Sequence, residues 1–256
     1  MARMMMRATM SNNVIDIFIT AYLRQYYTEQ TIEYLTLRTT HPYRIFVINN
    51  GGNDEVINES IRQNVTFLSL NMSHNVGIHA AWNLSLAMAE SDYFITSDND
   101  IFVPNLDPDW LTQMIRFMDE RPDYGAISMC PHIFIGAAGI DPKTAEDVVE
   151  RNMCGAVMRL MRREAVLKAG GWERVIRTGR NHEEKTICGR LQEQGYKTGI
   201  CSRIRAYHPF GKEHGGNWGY PADFTPQQQG HNPDLAEYVQ SFDNIEAYDE
   251  NTWLPL

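Results

Sequence analysis

With 256 residues, 43% hydrophobic and 21% charged, the chain has an ordinary soluble, globular make-up and the length for one large α/β domain around a substantial core. No run of eighteen apolar residues is present to span a bilayer, and a formal net charge of -9 opposes long-range attraction to nucleic acid. The four cysteines, Cys130, Cys154, Cys188 and Cys201, show no paired spacing, which argues against zinc fingers and for reduced thiols in a cytosol.

Residues 1–13, MARMMMRATMSNN, lack the apolar core of a secretory signal and read as a disordered leader. VIDIFIT (14–20) is a short apolar run rich in β-branched residues, and the segment after it spaces Leu23, Tyr27 and Leu35 as a helix does. A strand is expected there, then a helix. His41 and Pro42 break that helix, YRIFVIN (43–49) supplies a second strand, and NGGND (50–54) turns before EVINESIRQ (55–63), where the unit repeats. VTFLSL (65–70) is a third strand, VGIHAAWNLSLAMAE (76–90) a helix with Ile78, Ala81, Leu84 and Met88 in phase, and DYFITS (92–97) a fourth strand. Such alternation implies an α/β fold with a mostly parallel sheet and helices on both faces, in which ligands collect at the carboxyl ends of the strands.

The second half is less regular. A helix is expected at DWLTQMIRFMDE (109–120), a strand at YGAISMC (124–130), a loop through 135–147, and a strand at GAVMRLM (155–161) leading into a helix. HEEKTICGRLQEQGYK (182–197) reads as a helix ended by Gly195, and TGICSRIRAYH (198–208) as a final strand. Basic residues cluster from Arg159 to Lys168, either as a solvated helix face or facing an anionic ligand. Glycine, proline and glutamine dominate the tail 209–256, whose Trp218, Tyr220 and Phe224 either pin it to the domain or belong to a mobile binding loop.

Asp98 and Asp100 stand one residue apart where the fourth strand ends. Paired carboxylates repel and resist desolvation, so two readings are open: a solvated turn, or a seat for Mg²⁺ or Mn²⁺, which favour such hard oxygen ligands. The turn NNGGND (49–54) lies at the same edge, where its polar side chains suit a base or ribose. No dinucleotide glycine fingerprint follows the first strand and no Walker lysine motif occurs. Glu183 and Glu184 open a helix, where carboxylates either stabilise the dipole or serve as a general base and its partner. His208 ends a strand, either as a structural histidine or as the imidazole of an oxygen-rich metal shell. His74 and His79 are five apart, wrong for one helix face, and are not assigned to a metal.

Taken in order, these pieces resemble a GT-A fold glycosyltransferase, most similar to the inverting family 2 enzymes, over residues 14 to about 208. Tyr22 and Arg24 match the family's signature after the first strand, where Thr20 differs. INNGGND keeps Asn50, Gly51 and Asp54 of the second-strand turn, with Asn49 in the place of the base-reading aspartate. Asn75, Gly77 and Asn83 match the family's Asn-x-Gly helix start, and SDND its Asp-x-Asp. Gly155, Arg162, Arg163, Gly170, Gly171 and Trp172 resemble its acceptor-side block, and Glu184 falls at the catalytic-base position, glutamate replacing aspartate.

The resemblance implies an α/β/α sandwich that moves a sugar from a nucleotide-diphospho-sugar, UDP-sugar favoured, to an acceptor hydroxyl with inversion. Asp98, Asp100 and His208 would hold Mn²⁺ or Mg²⁺, and Glu184, with Glu183 beside it, would act as base. Thr20, Tyr22, Arg24, Asn49, Asn75, Gly77, Asn83, Asp98 and Asn99 would bind the donor, and Gly155, Trp172 and Trp218 would lie on the acceptor side. The expected division is a nucleotide-sugar half (14–104), an acceptor and catalytic half (105–208), and a tail that closes over the site as a lid. A cytoplasmic location is expected. A catalytically drifted nucleotide-sugar or glycan binding module is the alternative, and a sugar nucleotidyltransferase the third reading, which would want a glycine-rich loop that ITAYLRQ lacks.

Overall fold

The computed structural model describes residues 14–22, 25–50, 67–72, 76–131, 146–173 and 182–208. The leader, the turn from Gly51, the helix expected at 55–63, most of the loop at 135–147 and the tail from residue 209 lie outside the described residues. The described chain runs β1 (Ile15–Ala21), α1 (Gln25–Arg38), β2 (Tyr43–Asn49), β3 (Phe67–Asn71), α2 (Ile78–Met88), β4 (Tyr93–Asp98) and α3 (Trp110–Glu120). It continues through β5 (Tyr124–Pro131), β6 (Val148–Glu150), β7 (Arg159–Arg162), α4 (Arg163–Lys168), α5 (His182–Glu193) and β8 (Lys197–Ala206).

These strands form one sheet in the order β3-β2-β1-β4-β7-β5-β8-β6. β1 pairs in parallel with both β2 and β4, β2 with β3, and β5 with β8, whereas β7 runs against β4 and β5, and β6 against β8. The sheet is thus mostly parallel, with one reversed strand inserted in its middle and another at its edge.

Both faces are covered, so β1, β4 and β5 are buried along nearly their whole length and yet sort their side chains with a period of two. Ile15, Ile17 and Ile19 of β1 join Ile45, Val47 and Ile95 in a cluster packed under Ile32 and Leu35 of α1 and Trp110, Met114 and Met118 of α3. Phe18, Ile48, Phe94 and Met161 point to the other face, under Trp82 and Leu86 of α2, Val166 of α4 and Ile187 and Leu191 of α5. This is an α/β/α sandwich. Asp109 starts α3, its carboxylate accepting from the backbone N–H groups of Leu111 (2.9 Å) and Thr112 (3.2 Å).

Three details depart from the sequence reading. The strand expected at 155–161 is regular only from Arg159, because Met158 has φ 44° and cannot continue a ladder. The three-residue β6 lies just past the expected loop, too short to carry a periodic signal. The basic cluster is neither a solvated helix face nor a ligand-facing patch at its start. Arg159 is fully buried, and Arg162 donates to the carbonyls of Met118 (2.7 Å) and Tyr124 (3.3 Å) and to the Tyr93 hydroxyl (3.0 Å). Among the described residues no helix is long and apolar enough to cross a membrane.

Candidate active site

The strand order changes direction at β1: β2 and β3 lie on one side of it, β4 and all later strands on the other. In open α/β sheets ligands bind at the carboxyl ends of the strands beside such a point. Asp98 is the last residue of β4 and pairs in register with Thr20 near the end of β1, which puts it at that edge. Thr20 is 5% exposed, and its hydroxyl has no hydrogen-bond partner among the described residues.

The turn after β4 is held from both sides. Asn99 points away from its neighbours, donating its amide to Thr28 (2.8 Å), while its carbonyl accepts from the Thr31 hydroxyl (3.0 Å), so helix α1 fixes the backbone between the two aspartates. The structure thus places the Asn99 side chain against α1. Downstream, Phe102 and Tyr207 exchange backbone hydrogen bonds of 2.9 and 3.0 Å in an isolated antiparallel bridge. That bridge delivers His208, whose Nε2 lies 3.3 Å from Asp100 Oδ1.

One ligand atom from each of Asp98, Asp100 and His208 can be chosen so that all three lie within 4.8 Å of one another. Ligands about 2.1 Å from a small divalent ion sit roughly 3–4 Å apart, so this set needs only a slight contraction to close on Mn²⁺ or Mg²⁺. Asp100 and His208 are buried and Asp98 half-buried. Two carboxylates in such a place are costly unless a cation balances them, which is why the donor set fits a metal.

On the donor side, Asn49 is the last residue of β2 and is buried. Its neighbour Asn50 reaches across the edge, its side-chain oxygen accepting from the Val76 N–H (2.9 Å) next to Gly77, the residue that caps α2. Tyr22 is half-buried just after β1. Arg24 and Asn75 lie outside the described residues.

Asn83, half-buried, and Trp172, buried, meet. Asn83 accepts from the Trp172 N–H (3.0 Å) and donates to its carbonyl (3.1 Å), so its amide is committed to the Gly170-Gly171-Trp172 turn. The Trp172 ring is 1% exposed and packs on Trp82 with centroids 5.6 Å apart, and the Arg159 guanidinium lies 4.4 Å from the Trp82 ring and 5.6 Å from that of Trp172. Trp172 is therefore a core side chain. Gly155 is half-buried in the loop before β7. Trp218 lies outside the described residues.

The turn carries a stability prediction. Gly170 and Gly171 have φ of 79° and 68°, and a Cβ at Gly170 would meet nothing, while one at Gly171 would lie 2.6 Å from Asn83 Oδ1. Gly170→Ala should cost about 1–2 kcal/mol for its backbone alone. Gly171→Ala should cost a further 1–3 kcal/mol or so for the contact, read from urea unfolding.

Glu184 is half-buried on the first turn of α5, with Glu183 before it. The Cys154 thiol is pushed up by its hydrogen bond to Cys188, by burial, and to a lesser extent by the charge of Glu184, which places that carboxylate near residue 154. Two residues on, the Ala156 carbonyl accepts from the Asp98 N–H at 3.1 Å. The start of α5 thus reaches the end of β4 through this loop. His79, on α2, has Nδ1 3.0 Å from the Glu173 carbonyl and takes no part in the carboxylate group.

A family model described as glycosyl transferase family 2 matches residues 16–170. No curated protein matches the chain by sequence. Among solved structures, the mannosyltransferase PcManGT from Pyrobaculum calidifontis, in complex with GDP-Man and Mn²⁺, is similar with a TM-score of 0.63 and 13% identity, over 78% of this chain and 58% of its own. TarS 1-349 of S. aureus with UDP-GlcNAc gives 0.60 and 12%, over 92% and 67%. GalNAc-T7 with UDP, GalNAc and Mn²⁺ gives 0.63 and 14%, over 92% and 50%. At these identities the likeness is one of fold, and the chain spans little more than half the length of PcManGT.

Proposed function

We propose a function from one premise: the chain belongs to glycosyl transferase family 2. It transfers a sugar from a nucleotide-diphospho-sugar to an acceptor hydroxyl, and the observation that carries this reading is the convergence of Asp98, Asp100 and His208 at the carboxyl edge of the sheet, where β4 ends beside β1. Structural neighbours that hold UDP, UDP-GlcNAc or GDP-Man support a nucleotide-sugar donor.

Asp98, Asp100 and His208 would hold Mn²⁺ or Mg²⁺, with Asp98 contacting either the ion or the donor ribose. When bound, the ion would supply positive charge against that building on the leaving diphosphate. Asn49 reads the base; an asparagine both donates and accepts, so it suits uracil without requiring it. Glu184 takes the proton from the acceptor hydroxyl, and one base with one in-line attack inverts the anomeric centre. The strands up to β4 supply the donor half and the later elements the acceptor half. We place the protein in the cytoplasm, where buried reduced thiols such as its four cysteines are stable.

The test is a panel of nucleotide-sugars with and without Mn²⁺, scored by thermal shift and by slow donor hydrolysis. The true donor, at 100 times its Kd, should add about 2.7 kcal/mol, or roughly 5–10 °C, and only with metal present. Binding without hydrolysis or transfer to any acceptor would point to the binding module instead, and no shift with any donor would sink the reading.

A further inference from the structure

Cys154 and Cys188 are 34 residues apart in sequence and meet in the structure, Sγ to Sγ at 3.7 Å. Cys154 sits in the loop before β7 and Cys188 in the middle of α5, and both are fully buried beside Ala156, Ile187 and Trp172. A second link locks the pair: the Cys154 N–H donates to Cys188 Sγ at 3.4 Å.

Arg159 makes this more than a packing contact. Its guanidinium is fully buried against two tryptophans, and it donates to neutral acceptors, the Thr96 hydroxyl (3.1 and 3.2 Å) and the Cys154 carbonyl (3.5 Å). Among the described residues no carboxylate pairs with it. A buried cation is costly without a counter-charge, and a Cys188 thiolate would supply one. The hydrogen bond from Cys154 and then the positive charge of Arg159 lower the Cys188 thiol against the opposing effect of burial.

The geometry points to Cys154 and Cys188 as a modification site: a buried dithiol that hydrogen peroxide converts into an intramolecular disulfide. The Cys188 thiolate attacks one peroxide oxygen, the O–O bond breaks, and the departing hydroxide takes up a proton to become water, leaving a sulfenic acid. Cys154 Sγ then attacks Cys188 Sγ; the S–S bond forms, the S–O bond breaks, and the Cys154 proton leaves with the hydroxide as a second water. Two thiols lose two electrons and two protons, and one peroxide becomes two waters. Full burial restricts the oxidant to something about the size of water, so bulky thiol reagents should be excluded.

Closing the bond brings the sulfurs from 3.7 Å to about 2.0 Å. Cys188 lies one helical turn beyond Glu184 on α5, and Cys154 two residues before the carbonyl that holds the Asp98 N–H. The bond therefore draws the proposed base and the proposed metal carboxylate out of their relative placement. This consequence rests on the glycosyl-transfer reading, and a displacement of about 1 Å is expected to lower turnover on the order of 100-fold.

The experiment treats the reduced 256-residue chain with hydrogen peroxide, alkylates it after unfolding, and maps the peptides by mass. Expected are two blocked thiols out of four, a Cys154–Cys188 linked peptide lighter by two hydrogens, and no native reaction with a bulky aromatic disulfide. Cys188→Ser should abolish the link and Cys130→Ser should leave it. A native chain that keeps four thiols while the unfolded chain oxidises would overturn the proposal, as would over-oxidised Cys188 with Cys154 untouched. Turnover is then compared before oxidation, after it, and after thiol reduction. Linked protein at full rate would overturn the coupling to Glu184. Failure of the transferase reading shows separately, as no turnover in the reduced chain, and leaves the mass result decisive.

Discussion

Asp100→Asn is expected to abolish metal-dependent donor binding, weakening it by at least 100-fold, while leaving the metal-free protein folded and melting where it did. Asp100 is 1% exposed and its Oδ1 lies 3.3 Å from His208 Nε2, so its carboxylate is the buried centre of the three-residue group. Asparagine keeps the shape but removes the charge, and hard divalent ions depend on anionic oxygen far more than on amide oxygen. The swap also relieves repulsion with Asp98, which offsets the weakened contact to His208 in the absence of metal. Titration of Mn²⁺ with a nucleotide-sugar, followed by thermal shift, checks this. An Asp100→Asn protein that still needs and binds the ion would move the metal site elsewhere.

Glu184→Gln should separate binding from chemistry. The donor Kd should stay within about twofold of the parent, and kcat for transfer should fall by about 10²–10⁴, the usual contribution of a positioned general base. Glutamine retains the hydrogen-bonding shape on the first turn of α5 but cannot take a proton at neutral pH. Donor affinity by calorimetry and initial rates under saturating donor make the comparison. Undiminished kcat would return Glu184 to a structural role at the helix start, and loss of donor affinity in step with rate would make it a donor-binding residue.

Much of the architecture is legible before any coordinates. The apolar runs at 14–20, 43–49 and 92–97 are largely buried, and their regular alternation with helices forces parallel pairing, so the carboxyl edge that carries Asn49 and Asp98 follows from pattern alone. The insertion of β7 between β4 and β5 does not, because a buried antiparallel strand has the same apolar composition as a parallel one. Charge misleads at Arg159, where a basic stretch hides a guanidinium packed against tryptophans, and turn composition does not show that Trp172 reaches the core. Both depend on partners distant in sequence. The Cys154–Cys188 contact has the same origin: one cysteine is in a loop and the other on a helix, and no spacing rule joins them.

The bridge between Phe102 and Tyr207 has a further consequence for how the protein is made. Asp98 and Asp100 emerge from the ribosome early, with the strands that flank them, while His208 follows the last strand of the sheet. The three-residue group therefore cannot close until β8 has docked beside β5, one of the long-range pairings that fold slowly. A chain stopped short of residue 207 would display both carboxylates without the imidazole. Tight ion capture would thus report that synthesis and folding had run through the final strand.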